Sequence, residues 1–285
     1  MGIFSDILLT VDYDRTLTAP DATIPQRNIE AIKYFIQNGG TFTVNTGRSV
    51  PAASEMLIAH VPVNAPLLLY NGSAAYDKTT GKLTRYTPIP IAPQVIIPDL
   101  RERFPKLHVE IQALDAHYLT KPDSGWEKYC RNSHCKWDYT TESTVPQPFI
   151  KMALYSQFGK GTTADMYETT QEEAELFTQA IAYMEETYGH SLELFRACPR
   201  IVDIHAKGVS KLNSAKLLQA ELGKEILVCV GDAENDINML DGADYAFCPA
   251  DGIVAERYET VCPCAEGAVA EVIYKKIPEI LQRKP

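Results

Sequence analysis

No run of apolar residues in this chain of 285 approaches the eighteen or more that a membrane-spanning helix needs, so membrane association is not expected. Basic residues are in deficit: 27 Lys and Arg stand against 37 Asp and Glu, a formal net charge of -10. That balance argues against a nucleic acid as partner but leaves room for a small anion held by a local site. The seven cysteines are odd in number and scattered, unlike the framework of a small secreted domain, which points to a reducing compartment and so to the cytoplasm. The opening "MGIFSD" has neither a basic stretch nor a small-residue cleavage site, and Asp6 stands where a myristoylation signal wants Ser or Thr. In that setting the "NGS" at 71–73 is not expected to be glycosylated. The sequence carries no internal repeat and no low-complexity tract.

What is present is an alternation of strand and helix signals at both ends. "DILLTVDYD" reads as a buried strand, "IPQRNIEAIKYFIQNGG" as a helix, "TFTVNTG" as a second strand, "PAASEMLIAH" as a helix and "APLLLYNG" as a third strand. The pattern returns after residue 206 with helix "SKLNSAKLLQAEL", strand "EILVCVG", helix "ENDINMLDGA", strand "YAFCP" and a closing helix from about Glu266. Such alternation implies a parallel sheet with right-handed crossovers. The middle is different: alternating strands in "KLHVEIQAL" and "FIKMALYSQF", a long helix in "TQEEAELFTQAIAYMEETYG" and a hairpin in "SLELFRACPRIVDIHA". Residues 121–147 have weak periodicity and read as a loop excursion. The length favours two domains. The expectation is therefore an α/β fold, with a Rossmann-like parallel-sheet core from 1–82 and 207–285 and an inserted α+β module over 83–206.

The chemically loaded segments all follow expected strands: "DYD" the first, "NTGR" the second, "NGS" the third and "GDAEND" the strand "ILVCV". In open parallel sheets ligands bind at that edge, so these segments should converge. Asp12 and Asp14 would then meet Asp232 and Asp236, which lie one helical turn apart. Carboxylates gathered so densely need a cation, and hard oxygen donors favour Mg²⁺.

The ordered set "DYDRT", "NTGR", "KGVSK" and "GDAEND", with "YNGSAAYD" before the insertion and "GAVAEVI" near the end, resembles the haloacid dehalogenase (HAD) superfamily of phosphotransferases. Within it the chain is similar to the Cof-type group, class IIB, which carries a large α/β cap of the C2 kind. The resemblance covers nearly the whole chain, and it implies a Mg²⁺-dependent phosphatase acting on a small phosphorylated metabolite, a sugar phosphate by analogy. Asp12 would be the nucleophile that becomes an aspartyl-phosphate, and Asp14 the acid that protonates the leaving oxygen and then activates water. Asp12, the Asp14 carbonyl and Asp232 would hold the metal, with Asp236 as a ligand or just behind. Thr46 would bond a phosphate oxygen, and Lys211, preferred to Lys207 on motif register, would neutralise phosphate and Asp12 together. Asn45, Gly47, Arg48, Asn71 and Asn235 are candidate substrate contacts, joined in the cap by Lys151 and, more weakly, Arg196 or Arg200. The family normally has glycine after Asp14, where Arg15 stands here. If the backbone there needs a positive φ, a non-glycine residue costs on the order of 1 kcal/mol. "CPADG" likewise replaces a usual Gly-Asn-Ala signature.

Two other readings are open at this stage. The same scaffold can run a phosphosugar mutase or phosphotransferase, in which a hydroxyl takes the phosphoryl group, or persist as a non-catalytic metabolite-binding module. An isolated "DxD" is as readily a turn, Thr46 can simply end a strand and Asp236 can be an exposed helix carboxylate. Cys130, His134 and Cys135 have loose zinc spacing without the second pair of a zinc module, and "CPC" at 262–264 reads as a turn. His108, His117, His190 and His205 have no partner that the sequence can name. Leu176, Phe177, Ile181 and Met184 form a core stripe. Oligomeric state leaves no mark on the sequence.

Overall fold

The computed structural model describes residues 2–53, 57–132, 135–157 and 168–283. Strands β1 (Ile7–Val11), β2 (Thr41–Val44), β3 (Leu67–Leu69), β4 (Ala74–Asp77) and β5 (Lys82–Tyr86) come first. Next are β6 (Leu107–Ala113), β7 (His117–Leu119), β8 (Trp137–Tyr139), β9 (Phe149–Ser156), β10 (Leu192–Cys198) and β11 (Ile201–Ala206). The last are β12 (Ile226–Val230), β13 (Tyr245–Pro249) and β14 (Glu259–Val261). The helices are α1 (Gln26–Gln37), α2 (Val50–Ala53), α3 (Pro93–Arg103), α4 (Ser124–Asn132) and α5 (Gln171–Tyr188), then α6 (Lys211–Glu221), α7 (Ile237–Asp241), α8 (Ala268–Glu271) and α9 (Ile277–Arg283).

Two compact units result. The first comprises Met1–Gly47, His60–Arg85 and Ser210–Pro285, the second Arg48–Ala59 and Tyr86–Val209. The segment at 48–59, expected as a helix of the first domain, thus groups with the second unit. Of that helix α2 is described, and Ser54, Glu55 and Met56 lie outside the described residues.

In the first unit a five-stranded parallel sheet runs in the order β14-β13-β12-β1-β2. β1 and β12 are buried at every position, as expected of strands covered on both faces, which is why they read as unbroken apolar runs. Val11 is level with Val230 on one side and Val44 on the other, so Asp12, Asn45 and Gly231 leave the sheet at the same edge. The run "LLLY" does not extend this sheet. β3 pairs antiparallel with β4 in a separate three-stranded sheet, and an isolated bridge between Leu68 and Asn45 links it to the end of β2.

In the second unit six strands run in the order β10-β11-β9-β6-β7-β8. Val109, Ile111, Met152, Leu154, Val202 and Ile204 form one core with Ile96 and Leu100 of α3 and Phe177 and Met184 of α5. Strand alternation turns Glu110, Gln112, Lys151, Asp203 and His205 to the other face, where all five are buried. α5 starts at a capping box in which Thr170 and Glu173 satisfy each other's backbone N–H. The stretch 121–147 is not all loop. It forms α4, whose Trp126 and Cys130 are buried, and the edge strand β8. No helix among the described residues is long and apolar enough to cross a membrane.

Candidate active site

Asp12 follows β1 directly, and its N–H donates to the Val230 carbonyl of β12 at 2.9 Å, which holds the turn against the sheet edge. Tyr13–Leu17 then wind through an irregular turn in which Arg15 has φ 59° and ψ 9°. The departure from glycine is therefore real: the left-handed conformation is present and an arginine occupies it. Within this turn Asp12 is buried and Asp14 exposed, so two carboxylates one residue apart have opposite environments. Thr16 is fully buried and donates its hydroxyl to Asp232 Oδ1 at 2.9 Å. Sequence reading assigned Thr16 nothing, although it sits inside the quoted "DYDRT".

Asp232 follows β12 through Gly231, where a Cβ would lie 2.6 Å from the Asp236 side chain, so only glycine lets the chain pass. Asp236 sits at the end of a single 3₁₀ turn, Glu234–Asp236, and not one turn along an α-helix. Its Oδ2 accepts from the Asp232 and Ala233 N–H groups at 3.0 and 3.1 Å, which closes the loop on itself. Its Oδ1 accepts from Lys211.

Lys211 is the first residue of α6, whose N-cap Ser210 accepts from the Asn213 N–H at 3.0 Å. The ammonium is buried and donates to Asp12 Oδ1 at 2.6 Å and to Asp236 Oδ1 at 2.7 Å. Lys207 is exposed and pairs with Glu193 in the second unit. Lys211, not Lys207, therefore meets the carboxylates.

Asp12, Asp232 and Asp236 each bring a carboxylate oxygen within 4.8 Å of the other two, and all three are buried. Burial pushes Asp12 well above the usual carboxylate range; Lys211 pulls it back, while Asp236, Asp232 and Asp14 add to the rise. Asp232 is pushed to about 7 by burial and then by Asp236, against Thr16, Lys211 and Arg15. Burial alone would lower Lys211, but Asp12 and Asp236 hold it above its ordinary value, so it stays an ammonium. Three buried carboxylates share one fixed cation, and that excess of negative charge on hard oxygen donors fits a divalent ion such as Mg²⁺.

The remaining expected residues divide by unit. Thr46 and Asn71 are buried side by side, the Asn71 N–H donating to the Thr46 carbonyl at 2.9 Å. A Cβ on Gly47 would lie 2.9 Å from Asn71 Oδ1, so a larger residue there would displace the Asn71 amide. Asn45 turns its amide nitrogen to the Lys211 carbonyl at 2.8 Å, which ties β2 to the start of α6. Asn235 is half-buried beside Asp236. The other candidates belong to the second unit. Arg48 donates to the Ala52 carbonyl at 3.1 Å, Lys151 pairs with Asp203 at 2.7 Å, Arg196 donates to the Pro199 carbonyl and Arg200 pairs with Glu173. His134, one of the three residues of the loose zinc spacing, lies outside the described residues.

Residues 9–270 match the model of a family described as haloacid dehalogenase-like hydrolase. A curated relative, the 5-amino-6-(5-phospho-D-ribitylamino)uracil phosphatase YitU of Bacillus subtilis, is 22% identical over 258 residues, covering 88% of each chain. Among solved structures, SMU.1108c from Streptococcus mutans matches with a TM-score of 0.79 at 18% identity, over 95% of this chain and 98% of its own. The HAD subclass IIB sugar phosphatase BT4131 matches with a TM-score of 0.73, also at 18% identity, over 96% of this chain and 99% of its own.

Proposed function

The chain belongs to the haloacid dehalogenase-like hydrolases, and on that premise we propose that it is a Mg²⁺-dependent phosphatase that cleaves a small phosphorylated metabolite, a sugar phosphate by class, through an acyl-phosphate on Asp12. The observation that carries this reading is the Lys211 ammonium shared by Asp12 and Asp236 inside a buried carboxylate cluster. A nucleophilic carboxylate must approach a phosphate dianion, and like charges can meet there only if positive charge is already in place.

Asp12 attacks phosphorus, the bond to the leaving oxygen breaks, and Asp14, exposed beside it, gives that oxygen a proton. Asp14 then takes a proton from the water that attacks the acyl-phosphate, which releases phosphate and restores Asp12. Lys211 lies against Asp12 and balances the charge of the phosphoryl oxygens, while Thr46 and the neighbouring backbone orient them. Asp12 and Asp232, with the Asp14 carbonyl, would hold the metal, which when bound supplies further charge neutralisation between nucleophile and phosphate. Asp236 serves from behind, since Lys211 and two backbone N–H groups already occupy its oxygens. Thr16 fixes the Asp232 carboxylate in the same way. The sugar-phosphate class draws on the name of BT4131, and Lys151 is proposed as a contact to the leaving group.

The test is phosphate release from a panel of sugar phosphates, nucleotides and p-nitrophenyl phosphate, with Mg²⁺ or with EDTA, for wild type and Asp12→Asn. Turnover that needs the metal and falls at least a thousandfold in Asp12→Asn is expected. Phosphate release only when a second hydroxyl acceptor is added would replace hydrolysis by phosphoryl transfer, and silence across the panel would sink both.

A further inference from the structure

The second unit holds a buried cluster that phosphate chemistry does not use. Glu110 on β6, His117 on β7, Cys130 near the end of α4 and Cys135 just past it are all at least nine-tenths buried. Glu110 Oε1 meets His117 Nδ1 at 2.6 Å and accepts from Trp126 Nε1 at 3.1 Å, while its Oε2 accepts from Gln112 at 3.0 Å. The carboxylate is thus locked against the imidazole. His117 Nε2 meets Ser49 Oγ at 2.6 Å, and the ring acts on the nearby Cys135 thiol, whose Sγ donates to the Lys136 carbonyl at 3.6 Å.

The Cys135 N–H donates to the Cys130 carbonyl at 2.9 Å, and the two side chains lie in one buried cluster, where each thiol acts on the other. Both are free thiols. Their electronic states are opposed. The bond from Cys130 lowers Cys135 to about 6, with His117 adding to the fall against burial and Glu110. The same bond raises Cys130, as do burial, Glu110 and Cys135, against Arg131. Burial would lower His117, but Glu110 and Cys135 outweigh it and hold it at about 10. His117 and Cys130 thus favour the ionised form of Cys135, while Cys130 holds its proton, which suits them as an attacking and a resolving pair.

We propose that Cys130 and Cys135 form a peroxide-responsive dithiol that closes to an intramolecular disulfide and is reopened by small thiols. The Cys135 thiolate attacks one oxygen of a hydroperoxide, the O–O bond breaks, and sulfenic acid and hydroxide (or alkoxide) result. Cys130 sulfur then attacks the Cys135 sulfur, the S–O bond breaks, and the hydroxyl leaves as water with the Cys130 proton. Both residues are buried, Cys135 at 6% exposure and Cys130 at 1%, so only a small oxidant suits the site. Glu110 and Ser49 act as positioning residues through His117.

The experiment exposes the full-length protein to hydrogen peroxide, then quenches, unfolds and alkylates it for intact mass and peptide mapping. Two of the seven thiols should become unreactive, with a mass loss of about 2 Da that maps to a Cys130–Cys135 bridge and reverses with dithiothreitol. Cys130→Ser should stop at a sulfenic acid on Cys135 that dimedone traps, and Cys135→Ser should leave Cys130 reduced. In wild type the oxidation rate should rise with pH through a midpoint near 6; in His117→Gln that midpoint should move up by at least one unit toward the free-thiol value of about 8.5. Seven alkylatable thiols at every dose that leaves the circular dichroism unchanged would overturn the proposal. So would loss confined to the more exposed Cys198 and Cys262, or one equivalent of zinc blocking both sulfurs until a chelator is added.

Discussion

Replacing Lys211 by methionine keeps most of the stem and deletes the charge, which isolates what the ammonium does. In wild type that group sits 2.6 Å from Asp12 and 2.7 Å from Asp236, with all three side chains buried. Removing one partner of a buried pair leaves carboxylate charge uncompensated and costs about 3–5 kcal/mol. At roughly 2–4 °C per kcal/mol, the melting transition of the first unit should fall by about 6–20 °C in EDTA at pH 8. The pH dependence identifies the cause. Without the lysine, Asp12, already pushed up in wild type, rises further above its unfolded value. A carboxylate with a raised folded pKa costs stability as pH climbs, and each added proton bound by the folded state changes stability by at most about 1.4 kcal/mol per pH unit. The gap between variant and wild type should thus be small near pH 5, where protons replace the ammonium, and widen toward pH 8. Calorimetry of both proteins in EDTA at pH 5, 6, 7 and 8 measures it. A gap that stays constant across that range would refute the electrostatic reasoning and leave the loss to packing of the stem.

Three further outcomes follow from particular contacts. Arg15→Gly relieves a left-handed arginine at φ 59° and should raise the melting temperature by roughly 2–4 °C, about 1 kcal/mol; no change or a fall would mean that the side chain holds the turn. Ser210→Ala removes the α6 N-cap and should cost about 1 kcal/mol by urea titration, with phosphate turnover reduced as well because Lys211 is the next residue. Glu271 is held at about 2 chiefly by the Cys262 N–H, with Lys275 assisting, so its contribution is complete above pH 4.5 and lost as pH falls through 2. Glu271→Gln should therefore melt below wild type at pH 7 and converge with it on acidification.

The parallel sheet was legible because β1 and β12 are buried on both faces and so read as unbroken apolar runs, with an aspartate one or two residues past the end. The side chains that arrange the site were not. Thr16 meets Asp232 across 216 residues and Asn45 meets Lys211 across 166, and no local pattern encodes pairings of that separation. β3 was legible as a strand, but its antiparallel pairing with β4 was not, because "LLL" looks the same in either arrangement. α4 and β8 were overlooked because nine and three residues give periodicity little to work on. The cysteine cluster escaped for a related reason. The spacing of Cys130 and Cys135 was visible, but the histidine that joins them is His117, brought in by β7 pairing with β6.

The Asp236 carboxylate closes its loop entirely with groups of the protein, two N–H donors and one ammonium. The loop that carries Asp232 and Asp236 is consequently braced by the chain itself, unlike small zinc modules that are unfolded until loaded. If the site takes magnesium as proposed, a shortage of the ion would idle the protein with this loop still formed, and activity would return with the ion rather than with new synthesis.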